Sequence, residues 1–238
     1  MKKLLAVLCA LTLVIGCAQT NSYAAGKKLV AITFDDGPSK YTMTLLKGLK
    51  KRGAKATFFC NGVNGSNGTK NHKKELKKMK ADGHEIGNHT YSHRVPFRKL
   101  SAKKMKKEVA KVEKDIQSVM GKNYKPIVRI PGGDNNKTIR KNVNRPMITW
   151  SVDTMDWKYR SVKHVYNAIV KNAKDGDIIL CHDLYKTSVN GALKAIDTLQ
   201  KKGFEFVTVS ELYRRKGYSL KNHKVYNGLR GKKKKTSA

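Results

Sequence analysis

Apolar positions along the chain fall into two alternating rhythms. Leu29 to Phe34 is a continuous apolar strand of the kind buried on both faces, and Tyr41 to Arg52 follows with helical spacing and closes at Gly53. Lys55 to Cys60 reads as a second strand. Asn71 to Lys80 reads as a helix with Leu76 and Met79 on one face, ended by Asp82-Gly83, and Glu85 to Asn88 as a short third strand. The clearest helix runs from Ser101 to Met120: Ser101 suits an N-cap, Met105, Val109, Val112, Ile116 and Val119 recur at steps of four and three, and Gly121 closes it. Strand-like segments follow at Pro126 to Ile130, Met147 to Val152, Ile178 to Cys181 and Phe204 to Val209. Helices at Val162 to Ala173, Val189 to Lys202 and Ser210 to Arg215 separate the later ones. About seven β units alternating with helices predict a parallel sheet in an α/β fold. A length of 238 residues favours a closed or nearly closed barrel.

The beginning of the chain is patterned differently. Met1-Lys2-Lys3 precedes an apolar stretch of twelve residues from Leu4 to Ile15, too short to span a bilayer and proportioned like a signal peptide. Two endings stay open. Val14-Ile15-Gly16-Cys17 resembles a lipobox that would leave Cys17 for lipid attachment and membrane anchoring, whereas Ser22-Tyr23-Ala24 offers small residues for cleavage after Ala24. The expected division is a leader at 1–24, one domain at 25–217 and a basic tail at 218–238, with no internal repeat. Cys60 and Cys181 sit in apolar strand-like segments and read as buried thiols; their spacing carries no disulfide or thiolate-metal signal.

Charge narrows the partners rather than the chemistry. Fifty-one Lys and Arg against seventeen Asp and Glu give a net charge of +34, enough to draw the chain to polyanions. For an exported protein those are anionic cell-wall polymers or an anionic lipid surface. The lysines scatter over helix faces, as at Lys73-Lys74, Lys77-Lys78 and Lys103-Lys104, without aromatic stacking platforms or a phosphate-cradling glycine loop. No specific nucleic-acid partner is expected.

Chemistry enters at the strand ends. In parallel α/β barrels the reactive groups stand on loops after the C-terminal ends of strands. Here Asp35-Asp36-Gly37-Pro38 follows the first strand, His89 and His93 the third, Arg129 and Pro131-Gly132-Gly133 the fourth, Asp153, Asp156 and Trp157 the fifth, and His182-Asp183 the sixth. Two histidines four positions apart would face one way on a helical turn and bind one metal, with Asp36 as a third, anionic ligand. Such a set leaves room on zinc or a similar ion for water and substrate. Neighbouring side chains of extended backbone point to opposite sides, so Asp35 and Asp36 invite separate roles as base and ligand.

Taken together, these residues resemble carbohydrate esterase family 4, the polysaccharide deacetylases. Five motifs stand in the family's order over about Lys28 to Arg215: Thr33-Phe34-Asp35-Asp36-Gly37-Pro38, His89-Thr90-Tyr91-Ser92-His93, Arg129-Ile130-Pro131-Gly132-Gly133, Asp153-Thr154-Met155-Asp156-Trp157 and Ile179-Leu180-Cys181-His182. The resemblance implies a distorted (β/α)7–8 barrel. It implies Asp36, His89 and His93 as ligands of a divalent ion, zinc first, with cobalt, manganese or nickel as alternatives. Asp35 would be the general base and His182 the general acid, oriented by Arg129 and Asp156. Pro131, Gly132, Gly133, Trp157 and Leu180 would contact substrate, the last two walling the acetyl pocket. The family often has an aromatic residue where Gly132 stands, so a wider groove is implied.

The expected activity is removal of N-acetyl groups from N-acetylglucosamine or N-acetylmuramic acid units of peptidoglycan by an exported monomer, in the cell wall, free or lipid-anchored. A same-fold alternative is O-deacetylation of a polymer such as xylan. An alternative of another class is a non-catalytic basic surface protein that binds wall polymer or extracellular DNA.

Overall fold

The apolar run after residue 27 forms β1 (Lys28–Asp35), followed by α1 (Thr42–Lys51), β2 (Ala56–Cys60), α2 (Lys73–Ala81) and β3 (Glu85–Asn88). Next come α3 (Ala102–Met120), α4 (Lys137–Asn142), β4 (Met147–Ile148), β5 (Val152–Asp153), α5 (Asp156–Tyr159) and α6 (Val162–Asn172). The chain ends through β6 (Ile178–His182), α7 (Lys186–Lys201), β7 (Phe204–Phe206), α8 (Val209–Arg215) and β8 (Val225–Tyr226). The structure, a computed structural model, describes residues 27–63 and 65–232. The expected leader at 1–24, with Cys17, lies outside the described residues, as do positions 233–238 of the expected tail.

All pairings in the main sheet are parallel, in the order β3-β2-β1-β6-β5, and β7 pairs with the first half of β1. Isolated bridges from Asn88 to Val128 and from Val128 to Met147 continue the wall to β4, and four residues later the same chain enters β5 at the opposite edge. The fold is therefore an α/β barrel, distorted because its wall thins to single bridges between β3 and β4.

That thinning accounts for two departures from the expected elements. The strand predicted over 126–130 contributes only the bridge at Val128. The strand predicted over 147–152 is cut in two because its partners change within it: Thr149 N donates to Tyr226 O at 2.8 Å, whereas Ser151 N donates to Ile178 O at 3.0 Å. A third departure concerns the end of the chain. Residues 218–232, expected in the basic tail, are packed: β8 pairs with β4, Leu229 is 2% exposed, and Arg230 grips the buried Asp177. The folded unit extends past the expected boundary at 217.

Strand alternation sorts the core into layers. Val30, Ile32 and Phe34 of β1 pack outward with Phe58, Ile179 and Leu45 beneath the helices, and Phe34 stacks on Phe58 at 5.5 Å. Leu29 and Ala31 face the other way, into a cluster with Phe59, Ile148 and Ile178. By the same alternation Thr33 and Asp35 stand above Leu29 and Ala31, so the inner face is apolar at its foot and polar at its rim. Gly87 keeps that interior open, since a Cβ there would lie 2.5 Å from the Phe59 ring. Cys60 and Cys181 are buried free thiols on the outward layer.

On α3, Ser101 Oγ accepts from Lys104 N, the helix buries Met105, Val109, Val112 and Ile116, and it stops at Gly121 with φ 108°. Its inner stripe packs against both flanking clusters, which fixes the helix beside the loop that follows β3.

Candidate active site

Parallel register brings the first two groups together. Asp35 ends β1 and His182 ends β6, and the two are register partners. Immediately after Asp35 the backbone turns left-handed at Asp36, φ 71°. That turn, costly for a residue with a Cβ, swings the second carboxylate to the same side as the first. The two do not diverge as an extended chain would place them: His89 Nε2 lies 3.6 Å from Asp35 Oδ2 and 3.5 Å from Asp36 Oδ1.

The histidine pair converges without a helix. Residues 89–93 form an irregular loop in which Thr90 and His93 have φ of 67° and 50°, so the helical turn expected from their spacing is absent. The loop is held instead by capping contacts. Asn88 Oδ1 accepts from Thr90 N at 2.9 Å, and Glu108 of α3 accepts from Ser92 N and Oγ at 2.8 and 2.9 Å. His93 Nε2 comes within 3.2 Å of Asp36 Oδ1. Among the described residues, Asp36, His89 and His93 bring three ligand atoms within 4.8 Å of one another.

This donor set fits a divalent cation. His89 Nδ1 donates to Arg129 O at 2.6 Å, which leaves the Nε2 lone pair facing Asp36. Burial pushes the His89 pKa down to about 3, so the imidazole is neutral, the form that ligates metal. Two nitrogens and one carboxylate oxygen are donors that suit zinc and its first-row neighbours.

Arg129 is fully buried and fans across the barrel interior. Its Nη1 donates to Asp35 Oδ1 and to Thr33 Oγ1, each at 2.7 Å, while Nε and Nη2 reach Ile148 O and Thr149 O at 3.2 and 2.9 Å. The guanidinium also lies 4.1 Å over the Phe59 ring. A buried charge is tolerated only when paired and bonded on all sides, as here. Burial raises the Asp35 pKa from its ordinary value, and Arg129 opposes that rise.

His182 is prepared in the opposite sense. Asp156, buried at the start of α5, accepts from His182 Nδ1 and from its backbone N, both at 2.8 Å. Burial alone would strip the imidazole of its proton. The Asp156 hydrogen bond and charge, aided by Asp35 and Asp36, outweigh burial and raise His182 to about 9. A carboxylate and a protonated imidazole thus face one cation site, and His182 Nε2 is 3.9 Å from Asp36 Oδ2.

Asp35, Asp36, His89, His93 and His182 line a cleft of about 530 Å³ with Gly132, Trp157 and Leu180, as well as Val95, Trp150, Asp153 and Tyr185, while Arg129 and Asp156 are buried behind it. Pro131 and Gly133, expected beside Gly132, line an adjoining cleft instead, together with Arg98 and Asp134. Trp157 is 48% exposed at the rim. Three lining residues escaped the sequence reading. Trp150 sits where the expected strand breaks, Val95 lies beyond the histidine loop, and Tyr185 follows His182 by three positions; only the last had a signal in its spacing. Asp183 takes no part in the cleft. It is buried under the β1–α1 turn, hydrogen-bonded to Thr42 Oγ1, and its carbonyl accepts from Ser39 Oγ at 2.7 Å.

Comparison with known proteins agrees with this geometry. A family model described as polysaccharide deacetylase matches residues 22–149. A peptidoglycan-N-acetylglucosamine deacetylase of Listeria monocytogenes is 37% identical over 194 residues, covering 80% of this chain and 40% of that protein. The chain thus spans about two fifths of the length of the first curated relatives it matches. A peptidoglycan-N-acetylglucosamine deacetylase of Bacillus cereus is 38% identical, covering 80% of this chain and 90% of that one. Among solved structures, a family 4 acetyl xylan esterase from Clostridium thermocellum in complex with a cobalt ion superposes with a TM-score of 0.75 at 31% identity, over 85% of this chain and 100% of that one. Sequence, topology and the layout of the cleft therefore agree, and the chain belongs to the polysaccharide deacetylase family, carbohydrate esterase family 4.

Proposed function

We propose that this chain hydrolyses N-acetyl groups of an amino-sugar polysaccharide, most directly peptidoglycan, and releases acetate. The observation that carries the reading is the gathering of Asp35 and His182 about the Asp36–His89–His93 cluster in one cleft. Relatives named as peptidoglycan deacetylases support the polymer.

A divalent ion, zinc with cobalt, manganese or nickel as substitutes, would supply Lewis-acid chemistry at the acetyl carbonyl and the attacking water. Everything else falls to the protein. Asp35, with one oxygen tied to Arg129, takes a proton from the water as its oxygen attacks the acetyl carbon. His182, kept charged by Asp156, gives its proton to the amine nitrogen as the carbon–nitrogen bond breaks. Arg129 and Asp156 are positioning residues. Trp157 and Leu180 wall the acetyl pocket, and Pro131, Gly132 and Gly133 border the groove that receives the polymer. Export through the leader and action at the cell wall, with lipid on Cys17 or release after Ala24, complete this reading. Its basic surface is drawn to anionic wall polymers, and the unit acts as a monomer.

Acetate release from purified peptidoglycan, chitin oligosaccharides and acetylxylan, with defined metal, tests the proposal. Chelation should silence the chain, and zinc or cobalt should restore it. Asp35→Asn should remove activity while leaving ion content and fold intact. Persistent release from N-acetylated glycans in that variant would refute the mechanism, and release from acetylxylan alone would make the chain an O-acetyl esterase.

A further inference from the structure

The segment from Ser92 to Val95 is a wall between two cavities. His93 and Val95 line the catalytic cleft, whereas Ser92 and Arg94 line a second cavity of about 490 Å³ that α3 completes. The helix contributes Lys104, Lys107, Glu108 and Lys111, which recur at steps of three and four and so share one face. Four cationic side chains against one carboxylate leave the lining with three net positive charges.

Glu108 offsets one of the four charges, and its oxygens accept from Ser92 N and Oγ rather than from a lysine. Among the described residues, Arg94, Lys104, Lys107 and Lys111 have no ion-pair partner. Unpaired lysines are common on this chain, and what sets these four apart is that they line one cavity, beside the histidine loop. Lys111 is instead held 4.2 Å over the ring of Tyr91, in the same loop as the ligand histidines. A concave surface with unpaired like charges is unfavourable alone and becomes favourable once an anion fills it.

We infer that this cavity is a subsite for an oxyanion substituent, carboxylate or phosphate, on the same polymer whose acetamide enters the catalytic cleft. The inference rests on the polysaccharide reading above and deepens it. Alternate residues of one segment border the two cavities, so a substituent near the reacting sugar would lie toward the lysines while its acetamide faces His93. Neutral chains have nothing to place there. The subsite selects for anionic strands and fixes which acetamide is presented.

The test uses the full chain with Lys104→Gln and Lys107→Gln combined, both exposed helix positions where glutamine is well tolerated. On peptidoglycan at low salt, KM should rise and binding in co-sedimentation should fall by about five- to tenfold, with kcat unchanged. The difference should vanish at high salt and be absent on neutral chitin oligosaccharides. Lys73→Gln with Lys74→Gln removes the same charge from α2 and should change nothing. Peptidoglycan with amidated carboxylates, and peptidoglycan stripped of phosphate polymers, tells which oxyanion is read: the modification that abolishes the difference removes the ligand. Equal effects on charged and neutral substrates, or none on either, would overturn the inference. A chain that binds through these lysines yet releases no acetate would refute the deacetylase reading alone. Acetate release with KM indifferent to the lysines would refute the subsite alone.

Discussion

Asp35 and His182 are register partners at the C-terminal ends of adjacent parallel strands, and both face the cleft. Both groups are raised above their ordinary proton affinities, Asp35 by burial and His182 by its carboxylate partner. Asp35 is bonded to a guanidinium, and His182 is bonded to a carboxylate that raises it to about 9. In the proposed mechanism these are the general base and the general acid, and adjacent strands of one sheet hold them.

Replacing Asp156 separates the proton affinity of His182 from its position. In the proposed mechanism His182 must hold its proton to act, so the rate should fall as pH rises through its pKa. Asp156→Asn keeps a hydrogen-bond acceptor but removes the charge, and His182 drops back toward 6.5. The alkaline limb of the kcat/KM profile should move to lower pH, with a loss of about fourfold at pH 7, where a group of pKa 6.5 is about one quarter protonated. An alkaline limb unmoved by the substitution would show that another group donates the proton.

Arg129 ties Asp35, the proposed base, to the barrel interior and is satisfied by four acceptors. Arg129→Leu leaves Asp35 buried beside an apolar side chain, at a cost of about 3–5 kcal/mol in urea unfolding, with activity lost. Arg129→Lys keeps the charge but cannot reach Thr33, Asp35 and two carbonyls at once. It should recover part of the stability while kcat stays down at least about tenfold. Equal recovery of both would reduce Arg129 to a counter-charge.

The motifs were legible because chemistry stands at strand ends, and alternation along β1 and β6 already places Asp35 and His182 on the inner face. The route by which His89 and His93 meet was not. Spacing of four suggests a helix, but two left-handed residues and the Glu108 contacts build a loop, and those contacts come from a helix whose pattern reports only its buried stripe. The ends of the barrel were equally hidden. Residues 218–232 carry a few apolar residues, among them Tyr226 and Leu229, amid lysines, so composition reads as tail although pairing with β4 and the Arg230–Asp177 contact hold the segment in place. The strand over 147–152 has continuous β character, and only knowledge of β6 and β8 as different partners shows where it must break.

Gly37 sets how closely the Asp36 turn can approach β6. A Cβ at that position would lie 2.3 Å from Asp183 Oδ1 and 2.7 Å from Oδ2, inside any permitted contact. Gly37→Ala must therefore displace either the turn or the buried carboxylate. Displacing the turn moves Asp36, and metal affinity, read by elemental analysis after dialysis, should fall about 10–100-fold. Adding Asp183→Ala removes the obstructing carboxylate and should return most of the metal. A double variant as metal-poor as the single one would place the defect elsewhere.

His84 provides an acid-sensitive element remote from the cleft. It is 4% exposed, its Nδ1 accepts from Ala56 N at 3.2 Å, and its ring lies edge-on to Phe58 at 5.5 Å. Burial, helped by Lys55, lowers its pKa to about 4 from the ordinary 6.5. The folded imidazole stays neutral between those values while the unfolded one is protonated, so the unfolded state binds more protons there. The stabilisation is present above pH 6.5 and is lost as pH falls toward 4, a change of roughly 3 kcal/mol. In urea unfolding with chelator present throughout, His84→Gln should flatten the stability curve between pH 7 and pH 4.5 by on the order of 2 kcal/mol. Parallel curves for the variant and the parent would show that the folded protein takes up the proton at this position without strain.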